Sequence, residues 1–289
     1  MRLRLRHRTT FVYAGHARDS FNEVRLCPRE HELQNCRRFS LRTDPDAPTQ
    51  DYIDFHGNTT HTFSIAEPHA ELMVEAESEV DTVPNADRPP PPTGAALVPL
   101  GAAELEEQAE FLVASHYVPL AEELERESRL ALASGRSSAW ADFLKIGRHV
   151  RHTLAYKPEA TSVSTLATGA LRLRAGVCQD FAHVMIGLCR LAGIPTRYVS
   201  GYFLNLSRQP GEIDASHAWV EGYMPVVGWT AYDPTHDRLA DERYIQVAVG
   251  RDYGDIRPVG GTYRGAATRE LRVEVEVREV DALAVRQAG

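Results

Sequence analysis

"GVCQDFAHVMIGLCRLAGIPTRYVSGY", residues 176–202, decides how this chain is read. After Cys178 the apolar residues Phe181, Val184, Met185, Leu188 and Ala192 recur at helical spacing, and Gly193 and Pro195 end the run. The pattern predicts a helix with one buried stripe and with Cys178 in its first turn. There the unpaired backbone N–H groups and the helix dipole favour a thiolate over a thiol. Cys189 lies about 16 Å further along the axis, too far for a disulfide with Cys178, and its place on the packed face reads as filler. Cys27 and Cys36 flank a strand boundary and read as structural or incidental.

A thiolate nucleophile needs a base, and the base needs an orienting partner. Both stand in "DASHAWVEGYMPVVGWTAYDPTHD", residues 214–237. "SHAWVEGY" and "GWTAYDP" read as two strands around Pro225. An antiparallel hairpin centred at 225 would put His217 and Asp233 directly opposite each other on one face. One imidazole nitrogen would then serve the carboxylate and the other would face Cys178. Asp233 precedes Pro234, which stops the strand.

The 289 residues suffice for two domains. A 43% hydrophobic and 25% charged composition is that of an ordinary soluble protein. "MRLRLRHRTTFVY" lacks the continuous apolar run of a signal peptide, and no segment approaches the ~20 apolar residues of a membrane helix. With only four cysteines, reduced thiols and a cytoplasmic location are expected. Residues 1–42 carry ten arginines, but these alternate with apolar residues, as on the wet face of a strand. With a net charge of −8, the chain does not read as a nucleic-acid binder.

The expected fold class is α+β. Residues 1–83 alternate as antiparallel strands and predict a small sandwich or barrel-like domain. In "ELMVEAESEV" Leu72, Val74, Ala76 and Val80 form the apolar face, while Met73, Glu75, Glu77 and Glu79 form a wet one. A Pro-rich linker follows at 84–103. Residues 104–265 combine helices with the region around Cys178. "AELEEQAEFLVASHY", "PLAEELERESRLALASG" and "SSAWADFLKIGRHVRHTLAY" read as helices, the second between Pro119 and Gly135, the third capped by Ser137 or Ser138. In the last segment, 266–289, Leu271, Val273, Val275 and Val277 alternate with charges and predict a half-buried strand that can return to the first sheet.

The 176–202 segment, "DASHAWVEGYMPVVGW" and "YDPTHD" closely resemble the core of the transglutaminase-like superfamily, which is papain-like in architecture. "NEVRLCPRE", "DYIDFHGN" and "VEAESEV" resemble the β region that precedes that core in a bacterial branch; "ATSVST" and "YRG" extend the likeness over nearly the whole chain. The resemblance implies Cys178 as nucleophile, His217 as base and acid, and Asp233 as orienting group. The backbone N–H of Cys178 is the natural first oxyanion donor. By resemblance Tyr156 is the candidate second donor, at a position where animal relatives use Trp; a packing role is the alternative. Gln179, Trp219 and Tyr223 are candidates for the substrate cleft.

The chemistry expected from this set is attack on an amide carbonyl to give a thioester. Hydrolysis of a peptide or isopeptide bond is the leading reading, and amine transfer to a protein glutamine is the alternative. A third reading is a non-catalytic module that binds a peptide or partner. No cofactor and no metal are expected: Cys178, His183, His217 and His236 lack the spacing of a metal site, no acidic loop has calcium-binding spacing, and the N-terminal region does not match acyl-CoA-dependent transferases. The expected partner is a peptide or protein substrate, with no nucleic acid or membrane. Self-association or partner docking is a candidate task for the N-terminal domain.

Overall fold

The computed structural model describes residues 1–84, 100–206, 216–225 and 227–280; most of the Pro-rich linker and residues 281–289 lie outside them. β1 (Arg2–Val24) is the spine of the N-terminal half. Its remaining sheet partners are β2 (Gln34–Asp44), β3 (Gln50–Ile53), β4 (Thr59–Ile65), β5 (His69–Thr82), β13 (Val259–Gly265) and β14 (Thr268–Glu279). They form one curled antiparallel sheet in the order β2-β5-β1-β4-β3, and β13 and β14 also pair with β1. The first part of β1, Leu3 to Val12, is held between β5 and β14, and the second part between β4 and β13. Of the sandwich or barrel-like forms expected from the sequence, the curled single sheet is the barrel-like one, bending where the partners of β1 change.

Alternation explains β1. Leu3, Leu5, His7 and Thr9 are buried. The arginines between them point to the other face, where Arg2 pairs with Asp81, Arg4 with Glu79, and Arg6 and Arg8 with Glu75. Burial pushes the Glu75 carboxyl up, but hydrogen bonds from Arg6 and Arg8 outweigh it and hold the carboxyl below the ordinary glutamate range. The basic arm is therefore the charged face of a sheet. On β14 only Val275 and Val277 are buried; Leu271 and Val273, expected on the same covered face, are half exposed. The covered pair joins Leu3, Leu5 and Val80 in one core with Phe181, Val184 and Leu188, and the sheet offers no such cover further along the strand.

The second half is built on α5 (Cys178–Leu191), whose apolar stripe is fully buried. After the short α1 (Ala102–Glu107), the helices α2 (Glu122–Ala131), α3 (Ala139–Thr153) and α4 (Ala167–Leu173) pack around α5. The first predicted helix is shorter than its pattern and passes into a 3₁₀ turn at Ala109–Phe111. Ser138 caps α3 by accepting from the Ala141 amide at 3.2 Å. Gly135 and Gly193, with φ of 98° and 77°, follow α2 and α5 in the left-handed conformation that lets the chain leave a helix. α5 packs on a five-stranded antiparallel sheet ordered β11-β10-β9-β8-β12. Its strands are β8 (Thr196–Phe203), β9 (Ser216–Met224), β10 (Gly228–Asp233), β11 (Arg238–Leu239) and β12 (Tyr244–Gly250). A short parallel bridge pairs β6 (Ala155–Tyr156) with β7 (Ala175–Gly176).

β12 is an edge strand, and the N-terminal half seals its open side with two carboxamides. Gln34 donates to the Gln246 carbonyl at 2.8 Å and accepts from the Gln246 amide at 2.8 Å. Asn58 does the same for Val249, again at 2.8 Å each way. Each side chain supplies the donor and acceptor that another strand would have offered, so the edge is closed to further strands. Nearby the Tyr202 hydroxyl and His7 Nδ1 share a hydrogen bond of 2.7 Å, and the Thr9 hydroxyl meets the other ring nitrogen. Burial pushes the His7 imidazole down to about 4, so it serves as a neutral link.

Asn58→Ala should leave the buried amide and carbonyl of Val249 unpaired and destabilise the protein by about 3 kcal/mol. The check is the shift in chemical-denaturation midpoint; a change near zero would show that water replaces the carboxamide.

Candidate active site

The first turn of α5 is prepared by its neighbours. Val177, at the N-cap, has no side-chain acceptor to offer. The capping contact comes instead from Asp180, whose Oδ2 accepts from the Val177 amide at 2.8 Å and from the Thr161 hydroxyl at 2.6 Å. Burial pushes the Asp180 carboxyl up. Gly176 is required for this arrangement, because a Cβ there would stand 2.5 Å from the Asp180 carboxylate. Cys178 is the first residue of the helix, so its N–H has no intrahelical acceptor and remains available to a developing negative charge. The β6–β7 bridge sets Tyr156 opposite Gly176. Burial and then the charge of nearby Cys178 raise the Tyr156 hydroxyl above its ordinary value. The ring also packs 6.4 Å from Phe181, so both roles considered for Tyr156 have a physical basis.

His217 and Asp233 meet, but not as direct cross-strand partners. Val220 lies opposite Tyr232, which brings Asp233 level with Trp219. The hairpin closes between Met224 and Gly228, where Gly228 takes a φ of 81°. Its centre is thus one residue later than the Pro225 reading assumed. The two side chains are instead diagonal neighbours on one face, a spacing that a histidine can span. His217 Nε2 lies 2.7 Å from Asp233 Oδ2, which leaves Nδ1 as the ring atom for Cys178, whose thiol is near enough to help raise the imidazole.

Asp233 has no exposed surface and meets five hydrogen-bond donors. Its Oδ1 accepts from the amides of Thr235 (2.8 Å) and His236 (3.2 Å). Its Oδ2 meets His217, His236 Nδ1 at 2.7 Å and the Tyr244 hydroxyl at 2.8 Å. Burial alone would raise its carboxyl, but the charge and hydrogen bonds of His217 and His236 drive it far below the aspartate range. For His217 burial favours the neutral ring; the charge and hydrogen bond of Asp233, and then Cys178, reverse this and lift it to about 10. The arrangement therefore favours an imidazolium beside the thiol.

The other candidates separate. Gln179 is buried, and its amide donates to the Val163 carbonyl at 3.1 Å, so it fixes the 157–166 loop instead of lining a cleft. Trp219 is 1% exposed, packs with Val199, Tyr244 and Val249, and stacks on His217 with ring centroids 6.1 Å apart. It backs the histidine without reaching solvent. Tyr223 shares the parity of His217 but stands six residues away, ~20 Å along the strand, where it packs on Trp229. His236 and Tyr244 were not foreseen as partners of Asp233. The Asp-Pro-Thr-His order, an Asx-type turn, signals the first; no local pattern signals the second.

The ligand atoms of His217, Asp233 and His236 all lie within 4.8 Å of one another. Contacts of 2.7 Å between them are hydrogen bonds, since ligands of one tetrahedral zinc stand about 3.3 Å apart. His183 is elsewhere: it is fully buried, accepts from the Tyr253 amide at 3.2 Å and stacks on Tyr117. Burial pushes it down to about 3, a neutral core histidine.

A cysteine opening a helix against an antiparallel sheet that bears a histidine–carboxylate pair defines the papain-like class of thiol folds. The profile of the "Transglutaminase-like superfamily" matches residues 131–234, and that of the "Bacterial transglutaminase-like N-terminal region" matches residues 3–81. An uncharacterized protein of Mycobacterium leprae is 36% identical over 287 residues, covering 96% of this chain and 98% of its own length. A Pseudomonas aeruginosa protein-glutamine gamma-glutamyltransferase is 33% identical over 142 residues, 45% of this chain and 20% of that enzyme. A Cytophaga hutchinsonii structure described as a candidate cysteine protease shares the fold, with a TM-score of 0.75 and 22% identity over 97% of this chain and 92% of its own. The chain belongs to the transglutaminase-like superfamily.

The raised His217 ring makes a pH prediction. Its proton stabilises the folded state in full below about 6.5, the free-imidazole value, and that contribution is lost as pH rises through about 10. The unfolding free energy of wild type relative to His217→Gln should therefore fall steadily across this window in denaturant titrations. A difference independent of pH would show the ring to be neutral.

Proposed function

We propose that the protein is a cysteine-dependent acyl-transfer enzyme that opens amide bonds of a peptide or protein and passes the acyl group to water. The observation that carries the reading is the His217–Asp233 pair at 2.7 Å, set beside a cysteine whose own amide is free at a helix start. In the reaction the Cys178 thiolate adds to the amide carbonyl carbon, and the oxyanion receives the Cys178 N–H and the Tyr156 hydroxyl. His217 gives its proton to the leaving nitrogen, the C–N bond breaks and a thioester remains on Sγ. Neutral His217 then takes one proton from water as it attacks; the C–S bond breaks, the carboxylic acid leaves and gives its proton to solvent or the released amine, and the thiolate–imidazolium pair is restored. Asp233 keeps the ring in the tautomer this requires.

Amine transfer differs only in the second nucleophile. The specific observation in its favour is the 33% identity to the Pseudomonas aeruginosa gamma-glutamyltransferase across 45% of this chain. The four free thiols suit a reducing compartment such as the cytoplasm, and among the described residues no helix is long and apolar enough to cross a membrane. The N-terminal sheet supports the enzyme by closing the β12 edge.

The test is incubation with glutaminyl and isopeptide-linked peptides, with and without a primary amine, read by mass spectrometry. Hydrolysed product should dominate without amine, and the amine adduct should measure the competing path. Cys178→Ala should abolish turnover, and Asp233→Asn should lower kcat about 10²- to 10⁴-fold. Tight peptide binding with no acyl adduct on Cys178 would make the protein a binding module instead.

A further inference from the structure

A cleft of about 560 Å³ opens beside the catalytic centre, lined among others by Arg151, Ala155, Arg174 and Asp237. Its walls are continuous with the two segments that carry the site. Arg174 stands four residues before Cys178, and Ala155 adjoins Tyr156 on the strand bridged to Gly176. On the facing wall Asp237 stands four residues after Asp233. Four extended residues span at most ~14 Å, so a peptide whose scissile amide sits at Cys178 can reach the cleft. The charges within it are unequally satisfied. The Arg174 guanidinium is held by Glu127 through two contacts of 3.1 Å, and Asp237 accepts from the Tyr232 hydroxyl. Arg151 is exposed, and its guanidinium has no partner among the described residues. It stands in the last turn of α3, where the helix dipole favours a cation even without a carboxylate.

We propose that this cleft is a substrate subsite in which Arg151 takes the side-chain carboxylate of a glutamate or aspartate lying roughly two to four residues from the scissile amide. The inference rests on the acyl-transfer reading of the site and names its substrate class, an acidic peptide. Charge selects the class. Two arginines line the cleft against one aspartate, and Arg148, one turn before Arg151, adds a third cation near the Tyr232 hydroxyl. Glu127 is occupied by Arg174, so the balance on the helical wall stays positive. Asp237 repels an acid on its own side, which leaves the arginine wall as the place for a carboxylate. A planar guanidinium can take that group through two parallel N–H donors. An extended peptide advances ~3.3 Å per residue, so a side chain at the stated spacing covers the distance from the amide to Arg151. A lysine at the same position would meet like charge.

The experiment gives the full-length protein acetylated glutaminyl peptides that differ only in glutamate, glutamine or lysine at one position. That position is scanned through about four residues on either side of the reactive glutamine, and product is quantified by mass spectrometry. At one position or more, wild type should show a kcat/KM about fivefold higher for glutamate than for glutamine, with the difference in KM, and lysine should be worst. The preference should fade in about 1 M salt. Arg151→Gln should bring glutamate down to the level of glutamine and leave kcat for the neutral peptide unchanged. Arg151→Glu should invert the order, so that lysine exceeds glutamate; a merely structural role would lower all three peptides alike. Should neither variant fold, the salt dependence of wild type decides. Equal turnover of glutamate and glutamine peptides at every position, or a glutamate preference that survives in Arg151→Gln, overturns the subsite alone. If no peptide gives product or an acyl adduct on Cys178, the acyl-transfer reading fails and the subsite fails with it.

Discussion

A carboxylate with no exposed surface must find its compensation inside the protein, and Asp233 does so with five donors from four residues. Burying a charge without partners costs several kcal/mol, so the local fold is constrained to deliver all of them together. The Pro234–Thr235–His236 turn supplies two amides and one imidazole. β9 supplies the second imidazole on a diagonal, and β12 supplies the Tyr244 hydroxyl. The strand order β10-β9-β8-β12 leaves Tyr244 two strands beyond His217, yet the aromatic cluster of Phe203, Trp219 and Tyr244 carries it across the face of the sheet.

This connection gives the N-terminal half a physical stake in the site. Gln34 and Asn58 close the outer edge of the strand whose first residue is Tyr244, and the His7–Tyr202 contact ties β1 to β8 beside it. Leu3, Leu5 and Val80 share a core with the helix that begins at Cys178. The two sequence regions therefore have a common interior. The long charged face of β1 and β5 stays outward, where its ion pairs hold solvent-facing side chains in register and contribute little net stability.

The helix of Cys178 was legible because its evidence is local: Phe181, Val184, Met185 and Leu188 repeat with the helical period and are all buried. The pairing of His217 with Asp233 was legible for a looser reason. A hairpin centre misplaced by one residue moves the partner by two, which changes a direct pair into a diagonal one but keeps both side chains on the same face. The same parity argument overreached for Tyr223, since sharing a face says nothing of distance along the strand. Leu271 and Val273 alternate as regularly as Val275 and Val277, but burial depends on what covers a strand. The partners of β12 were beyond the reach of periodicity: Gln34 meets Gln246 across 212 positions and Asn58 meets Val249 across 191. Polar contacts at such separations follow from the assembled fold. His236 and Tyr244 belong to the same class, although the turn chemistry of "DPTH" offered a hint for the first.

The central claim is that Cys178 is chemically distinct from the other thiols. Cys189 is buried, and its burial pushes the thiol up to about 12. Cys27 and Cys36 are partly exposed, and each thiol donates to a backbone carbonyl, of Pro28 at 3.8 Å and of Arg38 at 3.5 Å; the neighbouring thiol raises Cys27 and lowers Cys36, so Cys36 is the competitor for an electrophile. The most direct measurement is to treat the native protein at pH 6 with less than one equivalent of iodoacetamide and map which cysteine is modified first. The account predicts adduct at Cys178 well ahead of the other three. Label that appears first, or equally, on Cys36 would contradict it.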